Sequence, residues 1–200
     1  MTYSPPKLLT FDQFLIEYGD NSNYELIDGE LREMEGTGPH EEVAGNIAGR
    51  IYAEILRSNL SWLIPKTCLI KPYAAEATAL RPDVIVLDKE KLTQEPLWQK
   101  EPVICNGKTI QLVAEVVSTN WQDDYARKVE EYAFLQIPEY WIVDFRGLGG
   151  LQFIGNPKQP TLTICQLING IYQQQQYRLG DSISSFLLPN LQLKLDNIMP

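Results

Sequence analysis

The stretch Leu112-Val113-Ala114-Glu115-Val116-Val117-Ser118 decides how this chain folds. It is short, apolar and rich in β-branched residues, which is typical of a strand that is buried on both faces. Glu115 interrupts the run. Burying a lone ionised carboxylate is so costly that such a group changes its pKa, pairs with a cation or binds a metal. The pattern therefore predicts a buried strand that carries one chemically active carboxylate.

A second apolar run has the same irregularity. Arg81-Pro82-Asp83-Val84-Ile85-Val86-Leu87 places Asp83 at the start of a strand of similar composition. Neighbouring strands lie about 4.8 Å apart, so two acids on one face of adjacent strands can reach the same cation. Magnesium typically takes one or two carboxylates, with waters and substrate phosphate completing its shell. We therefore predict a Mg²⁺ or Mn²⁺ site at Asp83 and Glu115, to which the backbone carbonyl of Val116 adds a third ligand.

Three local patterns precede the Asp83 strand. Thr10-Phe11-Asp12-Gln13 has the form of a capping box and predicts a helix to about Tyr18, and alternation around Asp28-Gly29 predicts a hairpin over 24–31. Residues 40–60 carry apolar side chains at i, i+4 spacing, which predicts the longest helix. That stripe comprises Val43, Ile47, Ile51, Ile55 and Leu56.

A second helix is predicted from residue 120 or 123 to about 136, after the Glu115 strand. Within it, Asp124, Lys128 and Tyr132 recur at i, i+4 and i+8 and so stack along one side. The next apolar run, 139–145, is another buried strand. The order strand, helix, strand requires a parallel, right-handed crossover. A lysine near the two acids would help to hold hydroxide and neutralise developing charge, which makes Lys128 the third predicted catalytic residue.

The last quarter of the chain has a different pattern. Alternation around Asn156-Pro157 and Asn169-Gly170 predicts an antiparallel meander, with strands at 151–154, 162–167 and 171–177. Residues 187–195 predict a last strand or edge. The polar segment 88–108, with two prolines, predicts a surface excursion. Together these elements predict an α/β or α+β fold with a mixed sheet flanked by helices.

Composition limits the class of protein. The 200 residues suit one domain, and 44% hydrophobic with 22% charged residues is ordinary for a globular protein. The sequence has no apolar run long enough to cross a bilayer and no signal-peptide core near Met1, so we expect a cytoplasmic protein without a membrane partner.

The three cysteines are far apart and odd in number, which indicates small buried residues rather than a disulfide framework or zinc. They are Cys68, Cys105 and Cys165.

The charge balance constrains the partner. Twenty-six acidic residues face 17 basic ones, giving a net charge of −9. Neutralising phosphates supplies most of the affinity of nucleic-acid binders, so this balance argues against a tight, non-specific DNA coat protein. An enzyme whose acids hold a cation remains consistent with it.

Taken in order, Pro82-Asp83, Glu115 and Lys128 resemble the motif of the PD-(D/E)XK nuclease superfamily. A wider set resembles the Uma family of restriction-endonuclease-like proteins. That set comprises Tyr24 to Leu31, His40, Arg81-Pro82-Asp83, Glu115 to Ser118, Lys128, Tyr132 and Pro138 to Asp144. The likeness covers roughly residues 10–144 and is weaker in the closing Leu-Leu-Pro-Asn-Leu segment.

The resemblance implies one restriction-endonuclease-like domain over residues 1–200, with a mixed central sheet and C-terminal antiparallel hairpins. Its parts would be an N-terminal helix and hairpin (1–36), a catalytic core (40–145) and a C-terminal β meander (151–200). It also implies a metal-dependent endonuclease acting on DNA. In that role Asp83 and Glu115 bind Mg²⁺ or Mn²⁺, and Lys128 stabilises the attacking hydroxide or the transition state.

One departure from the superfamily pattern stands out. The lysine expected two residues after Glu115 is replaced by Val117, and Lys128 on the next helix is the predicted substitute. Four further residues are candidates for supporting roles at the site: Glu25, His40, Glu42 and Ser118.

Simpler structural interpretations stay open at this point. Asp83 could cap a strand or pair with Arg81, Glu115 could form a buried ion pair with Lys128 alone, and Lys128 could lie on a solvated helix face. Two other functions are consistent with the residues. One is a nuclease-fold binding module without efficient catalysis, and the other is a glycoside hydrolase using both acids, which would need them in an open, sugar-lined cleft. A symmetric homodimer would suit an enzyme that cuts both strands of a duplex.

Overall fold

The computed structural model describes residues 8–34, 36–73 and 76–200, and predictions for the remaining residues lie outside the described ones. Within these residues the strands are β1 (Tyr24–Ile27), β2 (Glu30–Glu33), β3 (Trp62–Leu63), β4 (Leu69–Ile70), β5 (Val84–Asp88), β6 (Val103–Ile104), β7 (Ile110–Val116), β8 (Glu139–Asp144), β9 (Thr161–Ile168), β10 (Ile171–Tyr177), β11 (Ser182–Ile183) and β12 (Leu193–Lys194). The α-helices are α1 (Phe11–Tyr18), α2 (Gly38–Arg57), α3 (Lys128–Phe134) and α4 (Leu151–Ile154). A π-helical turn, Asp123–Arg127, leads directly into α3.

A six-stranded mixed sheet forms the centre of the fold, in the order β10-β9-β8-β7-β5-β3. β7 and β8 are parallel and are joined through α3, whereas the other neighbouring pairs are antiparallel. This arrangement confirms the predicted mixed α/β sheet and the parallel crossover. Three two-stranded pairs complete the strand pairing of the described residues: β1 with β2, β4 with β6, and β11 with β12.

The central strand β7 is buried on both faces, as its composition predicts. Leu112, Ala114 and Val116 pack into the cluster that contains the apolar side of α2. Val113 points to the opposite face, toward the cluster that contains Tyr132 of α3. Because side chains alternate along a strand, Glu115 lies on the α3 face, where the next helix can supply its partners.

The N-terminal elements form where their local signals place them. Thr10 caps α1, and its side chain and that of Gln13 exchange the two hydrogen bonds of a capping box. The β1–β2 hairpin turns at Asp28 and Gly29, whose φ angles are +51° and +83°. Asp and Gly are favoured in such a turn because both central residues need positive φ. The α2 stripe is buried as predicted except for Leu56, which is 63% exposed.

Three C-terminal predictions need correction. Residues 151–154 form the short helix α4, not a strand, and Phe153 stacks on Tyr125 of the π-helical turn at 4.9 Å between ring centroids. The β9–β10 hairpin forms, but β9 pairs with β8 and thereby extends the central sheet. Of the predicted strand over 187–195, only β12 is extended. In each case the tertiary partner decides a short segment whose local pattern is ambiguous.

The segment 88–108 is only partly the predicted surface excursion. Val103 and Ile104 are fully buried and form β6, parallel to β4. Glu95 is buried as well, and its carboxylate accepts hydrogen bonds from the Cys105 amide (2.8 Å) and the Thr109 hydroxyl (2.5 Å). Of the cysteines, Cys68 and Cys165 are buried as predicted, and Cys105 is half-buried. No helix in the described part of the chain is both long enough and apolar enough to cross a membrane.

Glu139, at the start of β8, binds the C-terminal segment to the central sheet through hydrogen bonds. Its completely buried carboxylate accepts hydrogen bonds from Trp141 Nε1 (2.6 Å) and from the backbone amides of Phe186 (3.0 Å) and Leu187 (3.3 Å). We expect Glu139→Ala to lower the free energy of unfolding by about 2–4 kcal/mol, because these donors lose their acceptor. Denaturant unfolding measures the change. Glu139→Gln keeps an acceptor oxygen and should cost less, and an equal loss in both variants would contradict this role.

Candidate active site

Asp83 and Glu115 meet because their strands are neighbours. β5 and β7 are antiparallel with Val84 opposite Ala114, and this register places the preceding Asp83 beside Glu115. Oδ2 of Asp83 accepts a hydrogen bond from the backbone amide of Val116 at 2.7 Å, which fixes the carboxylate against β7. The guanidinium of Arg81 turns away to Tyr24 O, Thr67 Oγ1 and Gly19 O. The interpretation of Asp83 as a partner of the Arg81 side chain is therefore wrong.

Lys128 lies at the centre of a buried acidic cluster. Its Nζ is 3.2 Å from Glu115 Oε1, 3.3 Å from Asp124 Oδ1 and 3.7 Å from Glu25 Oε1. Only 4% of the residue is exposed, so Lys128 does not lie on a solvated helix face. The contacts with Glu25 and Asp124 also exclude a simple pair between Glu115 and Lys128.

A π-helical turn and two tyrosines hold this cluster in place. Tyr132, one turn after Lys128, donates its hydroxyl to Glu115 Oε1 at 2.6 Å. The Tyr140 hydroxyl donates to the carbonyl of Asp124 in the π-helical turn at 2.9 Å. The two rings contact each other edge to face with centroids 4.9 Å apart, and both side chains are fully buried. Single π-helical turns are frequent at functional sites, and here the turn sets the position of Asp124 relative to Lys128.

The cluster holds more acid than its cations neutralise. Burial raises the pKa of Glu115 to about 8; Lys128 opposes the rise, and the carboxylate of Asp83 adds to it. Burial raises the pKa of Asp124 to about 6, although the charge of Lys128 opposes this rise as well. For Lys128, burial favours the neutral amine, but the surrounding carboxylates outweigh it and raise its pKa well above the ordinary value. The ammonium stays charged while its acidic partners compete for one cation.

His40 approaches the same carboxylates from the first turn of α2. Its Nε2 donates to the carbonyl of Val116 at 2.9 Å and lies 3.5 Å from Asp83 Oδ2. Its Nδ1 lies 3.4 Å from Glu41 Oε1. Burial lowers the pKa of His40, but the hydrogen bond and charge of Asp83 outweigh burial and raise it to about 9. The imidazole is therefore a cation at neutral pH and donates from both nitrogens.

An open cavity of about 620 Å³ gives solvent access to these groups. Seven of the eight predicted residues line it: Glu25, His40, Asp83, Glu115, Val116, Ser118 and Lys128. Glu42 is exposed and does not line the cavity, whereas the adjacent Glu41 does. Basic side chains at the wall are Arg32, Lys66 and Arg81.

Two residues of the site were not among the sequence-based candidates. Asp124 contacts Lys128 directly, and Tyr132 contacts Glu115. Their i, i+4, i+8 spacing with Lys128 was visible in the sequence and could have identified them. No sequence signal marked the π-helical turn that shifts Asp124 relative to the helix.

The donor set fits a hard divalent cation. Glu115 and Asp83 offer carboxylate oxygens at the cavity wall, and the acidic groups of the cluster outnumber its two cations, Lys128 and His40. Among the described residues, however, no group of three or more His, Cys, Asp or Glu side chains is arranged to hold a metal ion. The set therefore suits Mg²⁺, which keeps several waters and needs only one or two carboxylates. The Val116 carbonyl already accepts a bond from His40, although a carbonyl oxygen has a second lone pair.

The fold and site together define a protein with a nuclease fold. A crystal structure described as "a putative nuclease belonging to DUF820" from Anabaena variabilis superposes with a TM-score of 0.70, at 12% sequence identity, over 95% of this chain and 97% of that chain. Residues 11–196 match the Uma2 family, described as "Putative restriction endonuclease", and the chain belongs to this family. The resemblance read from the sequence is thereby confirmed. No curated protein matches the chain.

Proposed function

We propose that this protein is a metal-dependent endonuclease that hydrolyses phosphodiester bonds of DNA. The observation that carries the proposal is the position of Lys128, whose buried ammonium contacts Glu25, Glu115 and Asp124 beside Asp83 in an open cavity. Burying three acids and one lysine is costly. A site that gathers them at a solvent-accessible wall is typical of catalysis rather than of structural support.

Asp83 and Glu115 would hold Mg²⁺ or Mn²⁺, with the Val116 carbonyl as a further ligand. A bound divalent ion supplies Lewis acidity toward a phosphoryl oxygen and lowers the pKa of a coordinated water. Tyr132 orients Glu115 through its 2.6 Å hydrogen bond, and the Val116 amide orients Asp83. Both carboxylates are thus fixed before any substrate arrives, which is what positioning of reacting groups requires.

Lys128 would donate to the attacking hydroxide or to the charge that develops on the phosphoryl oxygens. Glu25 and Asp124 hold its ammonium at the site, so the side chain need not reorganise during the reaction. His40, a second cation, lies beside Asp83 on the α2 side, and its charge attracts a phosphate group. Ser118 lines the cavity and can hydrogen-bond to the same substrate group.

DNA is favoured as the substrate by the family's description, not by the net charge. The cavity wall is rich in acids, so the positive charge that a polyanion needs is local: His40, Lys128, Arg32 and Lys66 face or surround it. A homodimer is part of this proposal, because cutting both strands of a duplex favours two copies of the site.

A cleavage assay tests the proposal. Purified protein is incubated with supercoiled plasmid, single-stranded DNA or RNA, in Mg²⁺, Mn²⁺ or chelator. We expect metal-dependent nicking or linearisation of the plasmid. Asp83→Asn should reduce the rate by about 10²–10³-fold, because it removes one anionic ligand and weakens the acceptor of the Val116 amide.

Glu42→Gln is the matched control, because Glu42 is an exposed acid of α2 outside the cavity. It should cleave like the wild type. Metal binding without cleavage of any substrate would favour instead a nuclease-fold binding module, which the absence of a lysine at position 117 also favours. Equal rates for the wild type and Asp83→Asn would reject the nuclease assignment.

A further inference from the structure

The strand β10 leaves one edge of the central sheet open. It pairs with β9 on one side, and on its other side no strand of the described residues pairs with it. Its sequence is Ile171-Tyr172-Gln173-Gln174-Gln175-Gln176-Tyr177, and the four glutamines are exposed. Seven extended residues give an edge about 24 Å long whose outward amides and carbonyls are available for pairing.

β10 carries none of the features that normally block such an edge. Edge strands are usually very short, charged, or interrupted by proline or a bulge. The opposite edge of the same sheet, β3, is only two residues long. The outer strand of the hairpin, β2, carries Glu30, Arg32 and Glu33. By contrast β10 has no charged residue and no proline, in a chain of which 22% is charged.

We propose that β10 pairs antiparallel with β10 of a second copy of this chain, so that two central sheets join into one. Identical antiparallel strands are related by a two-fold axis, which gives a closed dimer. Glutamine amides both donate and accept, so a row of them is complementary to itself. Each chain has a net charge of −9, and a neutral strand is where two copies can approach with the least repulsion.

A two-fold axis at Gln174 defines the register. Gln173 then faces Gln175 of the partner subunit, and the reverse pair repeats across the axis. On the same face as Gln173 and Gln175, Ile171 is 72% exposed. Phe186, which is 70% exposed, lines a small groove with these glutamines. Pairing would bring both apolar side chains closer to the second copy and remove part of their surface from water.

The opposite face of β10 is already fixed by its own chain. The Tyr172 hydroxyl donates to the Ile137 carbonyl at 2.9 Å, and the Gln176 amide donates to the Phe153 carbonyl. The edge is therefore held in an extended, pairing-competent form. β8 and β9 separate β10 from β7, a distance of about 14 Å, so pairing leaves the acidic cavity open. The inference supplies an interface for the homodimer of the proposed function, but the pairing itself requires no nuclease activity.

Sedimentation velocity over a range of protein concentrations tests it. The wild type should be a dimer. Gln173→Lys combined with Gln175→Lys should be a monomer, because like charges then face each other across the axis. Gln173→Glu combined with Gln175→Glu should also be a monomer. Mixing the two double variants should restore a dimer that contains one copy of each.

Gln99→Lys combined with Gln192→Lys is the matched control, since both glutamines are exposed and lie outside β10. It adds the same charge and should remain a dimer. A monomeric wild type, dimers of either double variant alone, or a mixture that stays monomeric would each overturn the proposal. The readout is mass in solution, so a protein that dimerises without cleaving DNA rejects the proposed function and not this interface.

Discussion

Glu115→Gln is expected to abolish Mg²⁺ binding and to reduce cleavage by about 10³-fold while leaving the protein folded. The amide removes one of two anionic ligands. It keeps the volume of the side chain and an oxygen that can accept the Tyr132 hydroxyl. Because burial raises the pKa of the Glu115 carboxyl to about 8, the ionised form is costly at this position, and a neutral amide avoids that cost. Thermal stability in chelator should therefore be equal to that of the wild type or higher.

Calorimetric titration with Mg²⁺, the cleavage rate and thermal unfolding measure the three parts of this prediction. Glu139→Gln is the control, because Glu139 is another buried acid, on the adjacent strand β8 and outside the cavity. It should bind Mg²⁺ like the wild type. If Glu115→Gln bound Mg²⁺ with unchanged affinity, Glu115 would not be a ligand and the metal site would lie elsewhere.

The sequence predicted the central strands because their signals are strong and local. A short apolar run rich in β-branched residues predicts a buried strand. An acid inside such a run is a candidate functional residue, because burying a carboxylate is costly. The same signal led to Asp83 and Glu115. The helix around Lys128 did not by itself mark this residue as catalytic, because its charged neighbours indicate a solvent-exposed helix face. The order of Asp83, Glu115 and Lys128 along the chain, which resembles the nuclease motif, identified it.

The failures have one physical cause. Each failed prediction concerns a segment whose few residues adopt the structure that their tertiary partners impose. The segments are 151–154, 103–104 and 187–195. Phe153 stacks on Tyr125, and Val103 pairs with Leu69, across separations in sequence that no local pattern can encode. Glu42 was a candidate for a supporting role, but it follows Glu41 in α2, and one residue along a helix turns the side chain by about 100°. Glu41 faces the cavity instead.

Lys128→Met is expected to have the largest effect on stability. It removes the ammonium that contacts three buried carboxylates and leaves Glu25, Glu115 and Asp124 facing one another. Breaking a buried charge cluster in this way costs about 3–5 kcal/mol of unfolding free energy. The loss of the cation should also eliminate cleavage, but the stability effect is measurable without substrate.

The pKa values of the buried acids determine how the loss of stability in Lys128→Met changes with pH. The folded-state pKa of Glu115, about 8, lies above its unfolded value of about 4.5. Between these values the folded state holds a proton that the unfolded state has released, so stability falls as pH rises through the window. Asp124 makes Lys128→Met differ from the wild type within this window, because its pKa is about 6 beside the ammonium and rises further when the ammonium is removed. The folded variant then keeps the Asp124 proton above pH 6, and its stability goes on falling where Asp124 of the wild type is already ionised. The loss of stability in Lys128→Met should therefore be small at pH 5 and approach its full value at pH 8.

Urea unfolding of the wild type and Lys128→Met at pH 5 and pH 8 measures this difference. Lys100→Met is the control, because Lys100 is exposed and its substitution should change stability by no more than about 0.5 kcal/mol at either pH. Adding Glu115→Gln to Lys128→Met should recover part of the loss at pH 8, since an amide replaces a carboxyl group that the folded state would have to keep protonated. A cost that is the same at both pH values, or no recovery in the double variant, would mean that Lys128 stabilises the fold through packing and not by neutralising the acids.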